Sequence, residues 1–179
     1  MASLRQNTWE TDSWYAQSVA GNIDYSGAKQ LWSWGQGYEG QLGQNSQNSL
    51  SSPTQLGTDT TWNSLATYVC AYGHPGPGYS AGILQMFATK TDGSLWGWGE
   101  ADNYYSLGTN NLVKYSSPIQ IGTDTTWSSV STGTYSNYGV KTDGTGWVWS
   151  RNSNGQLGLN ARTSRSSPTQ LPGSWSDII

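Results

Sequence analysis

Apolar and polar side chains alternate over residues 31–34 (Leu, Trp, Ser, Trp), the period of two that marks a strand with one buried face. The alternation returns in LWGWG at residues 95–99 and in GWVWS at 146–150. Each of these stretches leads into a polar loop with a QLG or SLG step, in which Leu42 is expected to turn inward and Gly43 to take a backbone angle other residues resist. A second short strand follows each loop, SSPTQL at 51–56, SSPIQI at 116–121 and SSPTQL at 166–171. Its proline confines it to a sheet edge or to its first residues. GTDTTW then closes two of the three copies, with Asp59 and Asp124 as turn residues and Trp62 and Trp127 expected to return to the core.

The spacing makes this an internal repeat. From Gln41, Ser106 and Gln156 the proline lies 12 residues on in every copy, at Pro53, Pro118 and Pro168. The first Trp of each pair stands at 32, 96 and 147, so the first step is longer and holds an insertion. KTDG, a hairpin-turn sequence, precedes the second and third Trp pairs and has been replaced by SGAK before the first.

The surplus lies between Trp62 and Lys90, an interval of 28 residues where Trp127 to Lys141 takes 14. A hairpin is expected near residues 68–88, with HPGPG at 74–78 as its tip. Its apolar residues Ile83, Leu84, Met86 and Phe87 mark an interface if exposed, or else form the inner strand of the second repeat. Residues 1–25 stand outside the clear copies and carry Trp9 and Trp14, the two tryptophans without a repeat counterpart. They read either as an arm that docks on a neighbouring molecule or as an edge strand laid on the first repeat, the latter supported by a faint echo of SVSTG in SVAG. The last residues, SWSDII, match TWSSVS at 126–131, the opening of another unit.

Composition shifts the expected core towards indole rings: 34% of the chain is hydrophobic, with 11 Trp, 11 Tyr and one Phe. The net charge of −3 and eight dispersed Lys and Arg argue against nucleic acid, which needs clustered cations. One cysteine, Cys70, excludes an internal disulfide, and one histidine, His74, argues against the usual zinc cages. The first residues lack an apolar signal core and no window has the length of a membrane span, so neither a secretory leader nor membrane insertion is expected.

No catalytic constellation emerges. Asp59 matches Asp124 and Asp92 matches Asp143, so these carboxylates are copied turn residues, and the remaining acids are scattered. Cys70 and His74 sit by a Gly- and Pro-rich tip that offers a nucleophile little support. Phosphate-cradling and dinucleotide glycine motifs are lacking, and no cofactor or metal site is expected. Nine of the eleven tryptophans fall at repeat positions and read as core, which leaves Tyr38, Tyr104, Tyr105 and Tyr115 on the loops as candidate glycan contacts.

The unit LWGWGxxxxxxLG, SSPxQIGTDTTW and KTDG resembles the repeat of the regulator of chromosome condensation family over roughly residues 27–179. The resemblance implies an all-β fold of β-propeller-type repeats, with four-stranded blades of about 50 residues. The chain is expected to hold a segment 1–25 followed by about three blades over 26–179. Propellers typically close with about four to eight blades, so other chains or a longer array are expected to complete the ring. The best-known member is a basic nuclear nucleotide-exchange factor, whereas the low-charge form here is similar to repeats in structural proteins of tailed phages, cyanophages among them.

That likeness implies a non-enzymatic virion protein, a capsid decoration or tail-associated module, with other virion proteins or copies of itself as partners. A glycan-binding module displayed on a virion or cell surface is the first alternative, and an exchange-factor-like regulator of a small GTPase the second. What is not copied between repeats gives the candidate interface: Trp9, Trp14 and Tyr15; His74, Tyr79, Ile83, Leu84, Met86 and Phe87; and Trp175, Ile178 and Ile179.

Overall fold

The computed structural model describes residues 29–66, 85–101, 107–133 and 135–178, and all regular structure among them is β. Strands β1 (Trp32–Gly35) and β2 (Leu50–Gln55) pair antiparallel as a two-stranded sheet. Strands β3 (Trp62–Leu65), β4 (Gln85–Lys90), β5 (Leu95–Gly99) and β6 (Tyr115–Gln120) form a four-stranded antiparallel meander in chain order. Strands β7 (Trp127–Thr132), β8 (Ser136–Lys141), β9 (Gly146–Ser150) and β10 (Arg165–Leu171) repeat it. These are propeller-type blades. The prolines Pro53, Pro118 and Pro168 lie on β2, β6 and β10, each at a sheet edge where a missing N–H breaks no ladder.

The blades are out of phase with the sequence repeat. GTDTTW, expected to close a copy, follows one blade's outer strand and opens the next blade's inner strand at Trp62 and Trp127. The stretch from Leu95 to Trp127 therefore straddles two blades.

The short hairpins form where the sequence forces a reversal. Asp92 Oδ1 accepts from the Ser94 N–H at 2.9 Å and Asp143 Oδ1 from the Thr145 N–H at 2.9 Å, while Gly93 and Gly144 each take φ +79°. Leu42 is buried and Gly43 takes φ +70°, as the loop pattern requires.

Blades are stitched at two levels. The Gly93 carbonyl accepts from the Trp127 N–H at 2.9 Å, the Gly144 carbonyl accepts from the Trp175 N–H at 2.8 Å, and Lys29 makes a parallel bridge with Thr61. On the loop side, the Asn45 N–H donates to the Ser116 carbonyl at 2.7 Å and the Asn110 N–H to the Ser166 carbonyl at 2.8 Å. Between the two complete blades, Phe87, Leu107, Ile121, Trp127 and Trp149 form one core cluster.

Two expectations change. Met86 and Phe87 belong to β4, so the insertion ends before residue 85 and cannot reach 88; the remainder of the expected hairpin lies outside the described residues. Phe87 is fully buried against Trp149, with ring centroids 5.5 Å apart, and is core rather than interface. Its room comes from Gly97 opposite it, where a Cβ would stand 3.0 Å from the Phe87 ring.

Candidate interaction surface

Each complete blade carries the same aromatic and charged unit. Trp62 lies across Trp96 and Trp98, at 6.2 and 6.0 Å between centroids, and Trp127 lies across Trp147 and Trp149 at 6.1 and 6.2 Å. Lys90 Nζ sits 3.6 Å from the Trp96 centroid and pairs with Asp59 at 2.6 Å; Lys141 Nζ sits 3.7 Å from the Trp147 centroid and pairs with Asp124. The Lys90 and Lys141 hydrogen bonds, helped by Thr61 and Thr126, hold the Asp59 and Asp124 carboxyls down at about 2.

A cleft of about 500 Å³ opens beside the first of these units, lined by Gln44, Leu56, Asp59, Trp62, Lys90, Trp96 and Pro118. Its polar groups are committed to the fold. Gln44 Nε2 donates to Ser33 Oγ and to the Thr54 and Gln55 carbonyls, and Asp59 is held by Lys90 and Thr61. The ion pair and indoles recur in the next blade, so this unit is scaffold. No group of three or more potential metal ligands occurs among the described residues, and no helix among them is long and apolar enough to cross a membrane.

The loops joining β1 to β2 and β5 to β6 carry what is not copied. Tyr38 is 64% exposed, and Leu112 and Val113 are 48% and 51% exposed. The counterparts of Leu112 and Val113, counted from the SSP proline, are Gln47 and Asn48 in the first repeat and Arg162 and Thr163 in the third. Lys114 ties the two loops together through an ion pair with Glu39 and a second contact to Glu100 at 3.7 Å. The Glu39 carboxylate raises the Lys114 ammonium above its usual range, with burial opposing and Glu100 adding. The result is an apolar tip framed by two carboxylates and one ammonium.

Of the residues singled out from sequence, Trp9, Trp14, Tyr15, His74, Tyr79, Ile83, Leu84, Tyr104, Tyr105 and Ile179 lie outside the described residues. Met86 is half-buried beside Trp98 in the first seam. Trp175 and Ile178 are half-buried on the last blade with Val148, Leu157 and Leu171, and the Ile178 carbonyl accepts from Ser131 Oγ at 2.5 Å. Tyr115 is half-buried against the core, and its hydroxyl accepts from Asn111 Nδ2 at 3.2 Å, whereas Tyr38 projects into solvent. Leu112 and Val113 were not singled out; their signal is an apolar pair in a loop whose other copies are polar.

The fold and this repeated unit define a propeller-repeat protein. The model of the regulator of chromosome condensation (RCC1) repeat matches residues 30–74 and 92–139, just over half of the chain, and the chain belongs to that family. It is 30% identical to the ultraviolet-B receptor UVR8 of Arabidopsis thaliana over 71% of this chain and 27% of the receptor. Human WBSCR16 superposes with a TM-score of 0.62 at 21% identity, over 81% of this chain and 34% of that one. Prp20p of Saccharomyces cerevisiae, whose structure is described with its binding to Gsp1p and histones, gives 0.62 at 20% identity over 80% and 34%. The chain thus spans about a quarter to a third of these relatives, and at such identities the two structures speak for the fold alone.

Proposed function

We propose that this chain is a non-enzymatic protein-interaction module whose contact surface is the loop edge at Tyr38, Leu112 and Val113, flanked by Glu39, Glu100 and Lys114. The observation that carries it is the exposed Leu112 and Val113, placed where both sister loops are polar. Apolar side chains held in solvent by a stitched loop add nothing to the core and bring desolvation energy to a partner. Protein partners are also what the similar Prp20p is described with: Gsp1p and histones in one structure and Kap60 in another.

The finer reading is a structural component of a tailed-phage particle, bound to other virion proteins or to copies of itself. Its support is the low-charge form of the repeat. Mass spectrometry of purified particles tests it, with amine-reactive cross-linking reporting neighbours of Lys114. A chain missing from particles removes the virion reading. Incorporation unchanged by a joint Leu112→Asp and Val113→Asp substitution removes the surface.

A glycan-binding role rests on Tyr38, the exposed one of the two described candidates, and glycan-array binding lost in Tyr38→Ala would favour it over a protein partner. An exchange-factor role is the remaining alternative, and unchanged nucleotide release from candidate small GTPases disposes of it.

A further inference from the structure

We propose that Arg151, Arg162 and Arg165, gathered by Asn152 on the loop between β9 and β10, form a receptor for an acidic protein segment. The inference goes beyond the apolar tip at Leu112 and Val113 and stands without it, since it rests on charge in a different blade.

Eleven carboxylates are spread along the chain, yet none occurs from Gly144 to Ser176, the stretch that holds all three of these arginines. Counted from the Trp pair, the sisters of Arg151 are Gln36 and Glu100. Counted from the SSP proline, those of Arg162 are Gln47 and Leu112, and those of Arg165 are Leu50 and Tyr115. The repeat scaffold therefore needs no cation at any of the three places. Lys90, Lys114 and Lys141 each face a carboxylate of this chain, whereas Arg162 and Arg165 face none among the described residues.

Asn152 brings the three together. It is fully buried, and its Nδ2 donates to the carbonyls on either side of Arg162, Ala161 at 2.8 Å and Thr163 at 3.1 Å. Its Oδ1 accepts from the Leu157 N–H at 2.9 Å, so the side chain has no freedom to turn away. Its own N–H donates at 3.2 Å to Ser164 Oγ, on the residue before Arg165, and Arg151 is its chain neighbour. One asparagine thus fixes the backbone beside every arginine of the set.

The guanidinium groups are held ready rather than spent on the fold. Arg151 lies 4.8 Å from the Tyr135 ring centroid, and its Nε donates to Ser153 Oγ at 2.9 Å. Arg165 is half-buried, with its Nε shielded and without a hydrogen-bond partner. Opposite it in the ladder stands Ser150, fully buried, whose hydroxyl is also shielded and unpartnered. Ser150 takes φ +85° where its sisters Gly35 and Gly99 take +99° and +98°, so strain and unmet polar groups coincide here. A cation half withdrawn from water with no counter-charge is costly, and an incoming carboxylate relieves that cost. Beside Arg162 a hollow of about 280 Å³, lined by Gly155, Asn160 and Ala161, has room for an acidic side chain.

Arginine forks match carboxylates with two parallel hydrogen bonds. Three cations on a chain of net charge −3 are few for a nucleic-acid backbone but enough for a short acidic segment of a protein.

Fluorescence anisotropy with the full chain tests this, using a labelled peptide of Asp, Glu and Gly, its Asn, Gln and Gly counterpart, and a labelled oligothymidylate. The acidic peptide should bind in low salt, lose affinity several-fold as salt rises, and outcompete both other probes. Joint Arg162→Gln and Arg165→Gln should weaken it by about tenfold or more. Arg162→Gln alone, at an exposed position, should weaken it several-fold and keeps the test open if the joint variant unfolds early. Lys29→Gln, an exposed cation on another blade, should leave the affinity unchanged within about twofold. Equal affinity in wild type and the arginine variants, no binding of the acidic peptide, or tighter binding of the oligothymidylate would each overturn the proposal.

Discussion

Phe87 closes on Trp149 across the seam between the two complete blades, and Leu107 and Ile121 fill the space beside them. At the preceding seam Trp98 takes the place of Trp149 and Gly43 that of Gly108. There the cluster is smaller, and the cleft of about 500 Å³ remains beside Trp62 and Trp96. Both seams are lined by the same motif. The third-strand Trp pair marks each complete blade, and at Trp149 a strand of the preceding blade, β4, supplies the Phe87 ring that packs on it. In a repeat array, stability therefore sits in neighbours as much as in units.

The sharpest way to break this comparison is to empty both seams. Trp149→Ala should cost about 3–5 kcal/mol, because a fully buried indole between Phe87 and Trp127 leaves a cavity that packed neighbours cannot close. Trp98→Ala should cost less, because a cleft already opens at its seam and fewer packed neighbours are lost with the ring. Equal urea midpoints for the two variants would show that the seams are equivalent.

The same turn offers a second comparison. Gly93 and Gly144 both have φ +79°, but a Cβ at Gly93 would meet the Thr125 carbonyl at 2.0 Å, whereas at Gly144 the nearest atom is the Trp175 carbonyl at 3.8 Å. Gly144→Ala should cost roughly 1–2 kcal/mol, the strain of a left-handed alanine. Gly93→Ala adds a clash with the next blade and should reach about 3 kcal/mol or more. A similar loss in thermal midpoint for both would mean that the stitch at Trp127 yields freely.

Charge gives a smaller effect. Asp59 and Asp124 titrate near 2, below the ordinary 3.8, so the folded state favours their ionised forms. Their contribution is complete above about pH 4 and is lost as pH falls through about 2. Lys141→Met removes the ammonium from both Asp124 and the Trp147 face and should cost about 1–2 kcal/mol at neutral pH, the carboxylate's exposure keeping the ionic share small. Its stability should also fall less steeply between pH 4 and 2 than that of wild type. An unchanged acid slope would assign the low carboxyl to Thr126 alone.

Much of the fold is legible in the sequence because each copied residue has a backbone task. The Trp pairs, the TDG turns, the QLG step and the edge prolines all fall where the spacing puts them. The phase of the blades is not legible, since a periodic sequence has no origin and only strand pairing shows that Trp62 opens a sheet. Phe87 is ambiguous for a related reason: four apolar residues among the five from 83 to 87 suit an exposed flank or a buried strand, and Gly97 opposite it decides. Leu112 and Val113 carry no periodicity, so their meaning appears only when their exposure is set beside the polar sister loops.

The smallest predicted effect separates scaffold from surface. Substituting Leu112 and Val113 together by Asp should move the folding free energy by no more than about 0.5 kcal/mol, because both side chains already stand in solvent. Phe87→Asp, one blade row away in the core, should abolish cooperative folding, because an unpaired carboxylate would face Trp149 in the seam. If the loop substitution instead lowers the denaturation midpoint as core changes do, Leu112 and Val113 belong to the scaffold, and the interaction surface must be sought away from this edge.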